Sequence, residues 1–265
     1  VTEPFHRRVL LSLDAQAYGS RGDHQQLELQ RALTQVVAEA AGRAGVDLAA
    51  ADRQAAGDGM LIILAPGSSE VAPVDAFPRE LVRALRDYNG GDRGDSPRLR
   101  LRLAVHQGLV ATGDNGYPGA GVVVVARMVD SGPARAALKA ASAADLVLLV
   151  SRTIYFDLVV QSHTSLQPQA FRQVEYETKE GAEVAWLSVP GGDAHALDLS
   201  GESSDASGAG HAGTAAEIPA SVDAAAPTKA RVVVNGGVHG GNVVQGTLHG
   251  TAFNFGIQTG DRHDG

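Results

Sequence analysis

The stretch from Arg53 to Leu64 constrains the fold more than any other part of the chain. It has a polar approach, the turn Gly57-Asp58-Gly59, and then the apolar run Met60-Leu61-Ile62-Ile63-Leu64. Two glycines around one carboxylate permit a tight hairpin, because glycine reaches φ > 0 at no steric cost. Asp-Gly is a strong short hairpin signal, so an ordinary turn accounts for the stretch taken alone. The same turn can hold Asp58 at a sheet edge, where it could meet a second carboxylate and a metal ion.

The flanking chain supplies alternating elements. Val9 to Leu13 is too short for a helix and reads as a buried strand ending at Asp14. A turn through Gly19 and Gly22 leads to a helix from His24, with Leu29, Leu33, Val36, Val37 and Ala40 on one face and Gly42 and Gly45 at its end. After a loop from Pro66 to Pro73, the spacing of Phe77, Leu81, Leu85 and Tyr88 predicts a second helix, with Pro78 near its first turn. Asn89 to Pro97 is a turn. Leu99, Leu101, Leu103 and Val105 then alternate with Arg98, Arg100, Arg102 and Ala104, which predicts a strand with one core face and a solvated arginine face. A further strand is expected over Gly108 to Thr112, then a glycine-rich loop from Gly113 to Gly121. Leu146 to Val150 reads as a strand, Ser151 as the N-cap of a helix through Val159, and Phe171 to Val189 as a final hairpin containing Trp186. Helices alternating with strands that include adjacent hairpins predict an α+β, ferredoxin-like two-layer sandwich.

Composition narrows the function. The formal net charge of -8 argues against a general nucleic-acid binder, which needs a basic footprint. The absence of cysteine excludes disulfides, thiolate metal sites and cysteine nucleophiles. No apolar run approaches the roughly 20 residues of a membrane span. Val1 to Arg8 lacks the apolar core of a signal peptide, so the cytoplasm is the expected location.

The ordered set of motifs resembles the catalytic domain of class III adenylate and guanylate cyclases. The matching residues are Leu11-Ser12-Leu13-Asp14, Ala56-Gly57-Asp58-Gly59, Val105-His106-Gln107-Gly108-Leu109-Val110, and Gly119 through Arg127, with Ser151-Arg152-Thr153-Ile154-Tyr155 resembling the late serine-initiated helix. The resemblance covers roughly residues 7–190. It implies a nucleotidyl-cyclase type of sandwich and a helix beginning near Val122, where the valines alone suggest a strand.

The resemblance also implies a site. Asp14 and Asp58 would hold Mg2+ or Mn2+, and backbone N–H groups from Ala15 to Tyr18 would support the phosphates of ATP or GTP. Arg127 would stabilise charge in the transition state, contributed by the partner of a homodimer. Gln54 stands near the position of the family's base-reading lysine. Val123 stands at that of its ribose-orienting asparagine, and the phosphate-turn glycine and threonine fall on Ala17 and Gly19. The metal carboxylates are thus kept while the base- and ribose-binding set is eroded. Two outcomes stay open: an active cyclase releasing pyrophosphate, or a degenerate domain that senses nucleotide. His106 reads as structural.

After Pro190 the composition changes. Residues 191–230 are rich in Gly, Ala, Ser and Asp and are expected to form a disordered linker after the 1–190 domain. Residues 231–260 form a Gly-, Asn- and Val-rich segment in which Val238-His239-Gly240 and Leu248-His249-Gly250 recur around Val244-Gln245-Gly246. Short uncharged β-prone segments with Asn and Gln suit stacked strands. This tail resembles bacterial amyloid signalling motifs similar to the RIP homotypic interaction motif. That resemblance implies a receptor carrying a like motif. A flexible glycine-rich tail is the simpler alternative.

Overall fold

The computed structural model describes residues 4–91 and 97–199. The amyloid-like segment 231–260 and most of the expected linker lie outside the described residues.

A seven-stranded sheet runs in the order β2-β3-β1-β4-β5-β7-β6. Its centre is β1 (His6–Ala15), antiparallel to β3 (Gly59–Ile63) on one side and to β4 (Leu101–Val110) on the other. Pairing with β4 carries β1 well beyond the apolar run that announces it. The edge strand β2 (Asp52–Ala56) pairs with β3. Across the sheet, β4 lies parallel to β5 (Leu146–Ser151), and the closing hairpin is β6 (Arg172–Thr178) with β7 (Gly181–Ser188).

One face of the sheet is covered by α1 (Asp23–Ala44) and α2 (Ala76–Gly90), burying Leu11, Leu13, Ile62, Leu101 and Leu103 against Leu33, Phe77 and Leu81. Each fully buried side chain of this kind stabilises by about 1.5–3 kcal/mol. The expected α1 face is buried, and the helix runs through Gly42 to stop at Gly45. On the other face, α3 (Ala120–Val129) and α4 (Gly132–Ala140) close a second core of Leu10, Ile63, Ala104, Val125, Met128, Leu138 and Leu149. The α+β fold expected from sequence is present, and this second helical cover adds to it.

Several local expectations change. The segments read as two strands, Leu99 to Val105 and Gly108 to Thr112, are one strand, because β1 pairs without interruption from Val110 to Leu101. The valines of 122–125 are helical. Their helix packs so closely that a Cβ on Gly108 would lie 2.7 Å from the Gly121 Cα. Helix α4 was not expected; Ser131 caps it by accepting from the Ala134 N–H, with Pro133 in its first turn. Ser151 stands at the N-cap of α5 (Arg152–Ile154) without a side-chain cap bond, and the helix continues as a π-helical turn from Tyr155 to Val160.

The arginine face that leads into β4 is not simply solvated, because α4, the loop after it and β1 meet it. Arg98 pairs with Asp145 at 2.7 Å. Arg100 donates to the carbonyls of Leu138, Ala141 and Ala144 and to Gln16 Oε1. Arg102 is 8 % exposed and pairs with Asp14. The chain after β7 also stays docked: Ala194 is buried, Leu197 and Leu199 pack on the second core, and Arg172 donates to the Leu197 carbonyl at 2.7 Å. Residues beyond Pro190 thus still pack on the domain as far as the described residues run. No helix among the described residues is long and apolar enough to cross a membrane.

Candidate active site

Asp14 occupies the C-terminal end of the central strand, opposite Gly59 on one side and Arg102 on the other. The β2–β3 connection is the two-residue loop Gly57-Asp58, with Gly57 at φ 54. Positive φ at the first central residue, and not at Asp58, is the pattern of a type II′ hairpin, which favours glycine there. The strained position is thus Gly57 rather than Gly59. The Asp58 carbonyl accepts from the Ala15 N–H at 2.9 Å, which fixes the hairpin tip against the end of β1. The fold therefore brings the two residues near each other, close enough for the Asp58 charge to bear on Asp14.

The environment of Asp14 is half apolar and half ionic. Arg102 Nη2 donates to Asp14 Oδ1 at 2.5 Å. Burial nevertheless pushes the Asp14 carboxyl up to about 6; Arg102 opposes the rise, and Asp58 adds to it by charge repulsion. Asp130 and Arg135, paired with each other where α3 passes to α4, also bear on Asp14. Among the described residues no group of three or more His, Asp or Glu side chains is placed to hold a metal ion.

The segment after β1 turns sharply. The N–H groups of Ala15 and Gln16 already donate to the carbonyls of Asp58 and Arg100, so neither is open to a phosphate. Of the expected backbone donors this leaves Ala17 and Tyr18. Ala17 adopts φ 62, a left-handed conformation that glycine accommodates without strain, at the place where the resemblance puts a glycine. The Tyr18 hydroxyl accepts from Gln30 Nε2 at 2.8 Å, and its ring lies beside Gly57.

Gln54 is exposed on the edge strand, across from Leu61, with its Oε1 close to Gly116 of the β4–α3 loop. Val123 lies on α3, 46 % exposed. Arg127 follows it by four residues and makes a bidentate pair with Glu180 of the β6–β7 turn, not with either carboxylate. That hydrogen bonding holds the Glu180 carboxyl below its usual range. His106 is largely buried with Nδ1 unpartnered, and burial lowers its pKa to about 4, so it is a neutral packing residue. A groove of about 360 Å³, lined by Val82, Arg86, Ala141, Asp145 and Leu197, includes none of the candidate site residues.

Sequence reasoning missed Arg102 and Glu180. The arginine was visible as one of three on a strand, but its partner depends on a register between strands far apart in sequence.

No protein-family model matches this chain, and no curated protein does. Among solved structures, the guanylyl cyclase Cya2 superposes with a TM-score of 0.52 at 16% identity, over 76% of this chain and 100% of that one. An adenylate/guanylate cyclase/hydrolase from Silicibacter pomeroyi gives 0.51 at 18% identity, over 71% of this chain and 99% of that one. At these identities the likeness establishes the fold, which is that of nucleotidyl cyclase catalytic domains.

Proposed function

We propose that residues 4–199 form a nucleotidyl cyclase-like domain that takes ATP or GTP with Mg2+ or Mn2+ and closes it to a cyclic nucleotide, releasing pyrophosphate. The observation that carries this reading is the pair Asp14 and Asp58, joined at the end of the central strand by the Ala15–Asp58 backbone bond on a cyclase fold. The donor set suits such cations: carboxylate oxygens are hard ligands, and Asp14 Oδ2 accepts no hydrogen bond among the described residues. Magnesium commonly takes only one or two carboxylates, with phosphate oxygens and water completing its shell, so two acidic residues suffice. When bound, the cation would lower the pKa of the attacking 3′-hydroxyl and neutralise the leaving pyrophosphate.

The chain's own part in the reaction is positioning. Asp14 and Asp58 would hold the cation that carries the triphosphate against β1, and the Ala17–Tyr18 turn offers N–H groups to the phosphates. Arg127 supplies a guanidinium for charge that grows at the α-phosphate. Its pairing with Glu180, away from both carboxylates, accords with an arginine that serves the partner's site in a homodimer. The readout is labelled ATP and GTP converted to cyclic product and pyrophosphate with Mn2+, with product lost in Asp14→Ala and Asp58→Ala. Mixing inactive Asp58→Ala and Arg127→Ala proteins should restore part of the activity, since a mixed dimer keeps one complete site.

Val123 favours a second reading, a domain that binds nucleotide and turns it over poorly. An exposed isopropyl group on α3 has no atom to orient a ribose. Tight nucleotide binding without product under either metal would select this reading. In both readings the protein works in the cytoplasm, and residues 231–260 recruit or assemble it by strand addition to a like motif on a receptor. Fibres from a 231–260 peptide that seed the full chain would support that role; a peptide that stays monomeric would remove it.

A further inference from the structure

The proposed function leaves one buried charge unexplained. Arg102 faces Asp14 across the β1–β4 ladder, with side-chain exposures of 10% and 21% for the two. Asp14 is its only hydrogen-bond acceptor among the described residues, and its Nε is buried without a partner. Arg98 and Arg100, which precede β4, each hold main-chain carbonyls as well, whereas Arg102 has Asp14 alone among the described residues.

We propose that Arg102 is a built-in counter-ion to Asp14 that keeps the carboxylate pair from capturing a free divalent cation, so that the metal enters as its complex with the nucleoside triphosphate. This rests on the function proposed above and deepens it by stating the form in which the substrate is taken. Two carboxylates alone would present two negative charges to a cation. With the guanidinium held against Asp14 Oδ1, one net negative charge remains and only Oδ2 of that carboxylate is uncommitted. A buried guanidinium cannot surrender its single partner cheaply, because an unpaired buried charge is strongly destabilising. A bare cation chelated by both oxygens of Asp14 would force that outcome. A cation that arrives with triphosphate oxygens already in its shell needs only one oxygen from Asp14, and the ion pair survives. Arg102 is in this sense a positioning residue, acting through Asp14.

The test is Mn2+ binding to the full chain at pH 7.5, followed by electron paramagnetic resonance, with MnCl2 alone and with MnCl2 plus ATP or GTP. Without nucleotide, Arg102→Met should bind Mn2+ at least tenfold more tightly than wild type, and Arg102→Lys, which keeps the charge, should stay within about threefold of wild type. Adding Asp14→Asn to Arg102→Met should remove the gain. Equal or weaker Mn2+ binding by Arg102→Met, or a gain that survives Asp14→Asn, overturns the proposal. Should Arg102→Met not fold, wild type decides: Mn2+ binding as tight without nucleotide as with it overturns the proposal as well. The nucleotide-free comparison of variants isolates the counter-ion. Failure of ATP and GTP to bind at all, with that comparison as expected, would instead sink the cyclase reading.

Discussion

Asp14 and His106 share one face of the sheet, and burial moves their proton affinities in opposite directions. Asp14 opposes Arg102 and His106 opposes Leu10, so the β4 partners are four residues apart on the same side. The Asp14 carboxyl rises to about 6 and the His106 imidazole falls to about 4. With its pKa raised on folding, Asp14 binds more protons in the native state than in the unfolded one, and its contribution to stability is lost as pH climbs from about 4 to 6. With its pKa lowered, His106 binds fewer, and its contribution is lost as pH falls from 6.5 to about 4. Each effect is on the order of 3 kcal/mol at one unit per 1.36 kcal/mol, so the two nearly cancel. Urea midpoints of the wild type should therefore change little between pH 4 and 6.5. His106→Gln should uncover a stability that falls with rising pH, and Asp14→Asn one that rises. Slopes of the same sign in both variants would contradict this pairing.

Asp58 separates the fold from the proposed function. Its carbonyl, not its carboxylate, bonds the Ala15 N–H, so the hairpin does not need the acid. Asp58→Asn should shift the unfolding free energy by no more than about 0.5 kcal/mol, as surface substitutions do. Nucleotide-supported Mn2+ binding should weaken at least tenfold in the same protein. A large loss of stability would show that the side chain has a structural task.

The approach of α3 to β4 tolerates no side chain. A Cβ at Gly108 would stand 2.7 Å from the Gly121 Cα and 2.8 Å from His106 Nε2. Gly108→Ala should cost about 1–3 kcal/mol through overpacking, measured by chemical denaturation. It should also disturb the helix that carries Arg127.

Ala17 offers the reverse experiment. At φ 62 its methyl group is strained, and glycine removes that strain at some cost in unfolded-state entropy. Ala17→Gly should be neutral or stabilising by up to about 1 kcal/mol, whereas Ala17→Val should be clearly destabilising because a β-branched residue resists that backbone.

What the sequence discloses depends on how local each feature is. Asp14 closing an apolar strand and Asp58 in a glycine turn are both readable within a few residues, and the fold joins them. The Asp14–Arg102 pair is not readable, because it depends on the register of strands whose paired residues are 88 apart. The same gap made Arg98, Arg100 and Arg102 look like a wet face: the first two find partners in α4 and the loop after it, and Arg102 finds Asp14 on β1. That helix carried a legible start in Ser131 and Pro133, but its alanines give only a faint apolar stripe. The strand β4 was cut in two because His106, Gln107 and Gly108 interrupt its alternation. Conversely, Val122 to Val125 wind into a helix against their β propensity, since the close packing of Gly121 on Gly108 and the burial of Val125 outweigh it.

The position of the two carboxylates in the sheet gives the site one fixed jaw and one movable one. Asp14 rides on a strand hydrogen-bonded on both sides, so the amides of β1 should exchange with solvent only through global unfolding. Asp58 and Gln54 ride on the hairpin at the margin of the sheet, where β2 has a single neighbour among the described strands. Fraying of that edge would carry Gln54 away first, and Asp58 only once its carbonyl releases the Ala15 N–H, while Asp14 and Arg102 stay in place. The site would then open as a hinge at the sheet's margin, with the ion pair as its stationary half.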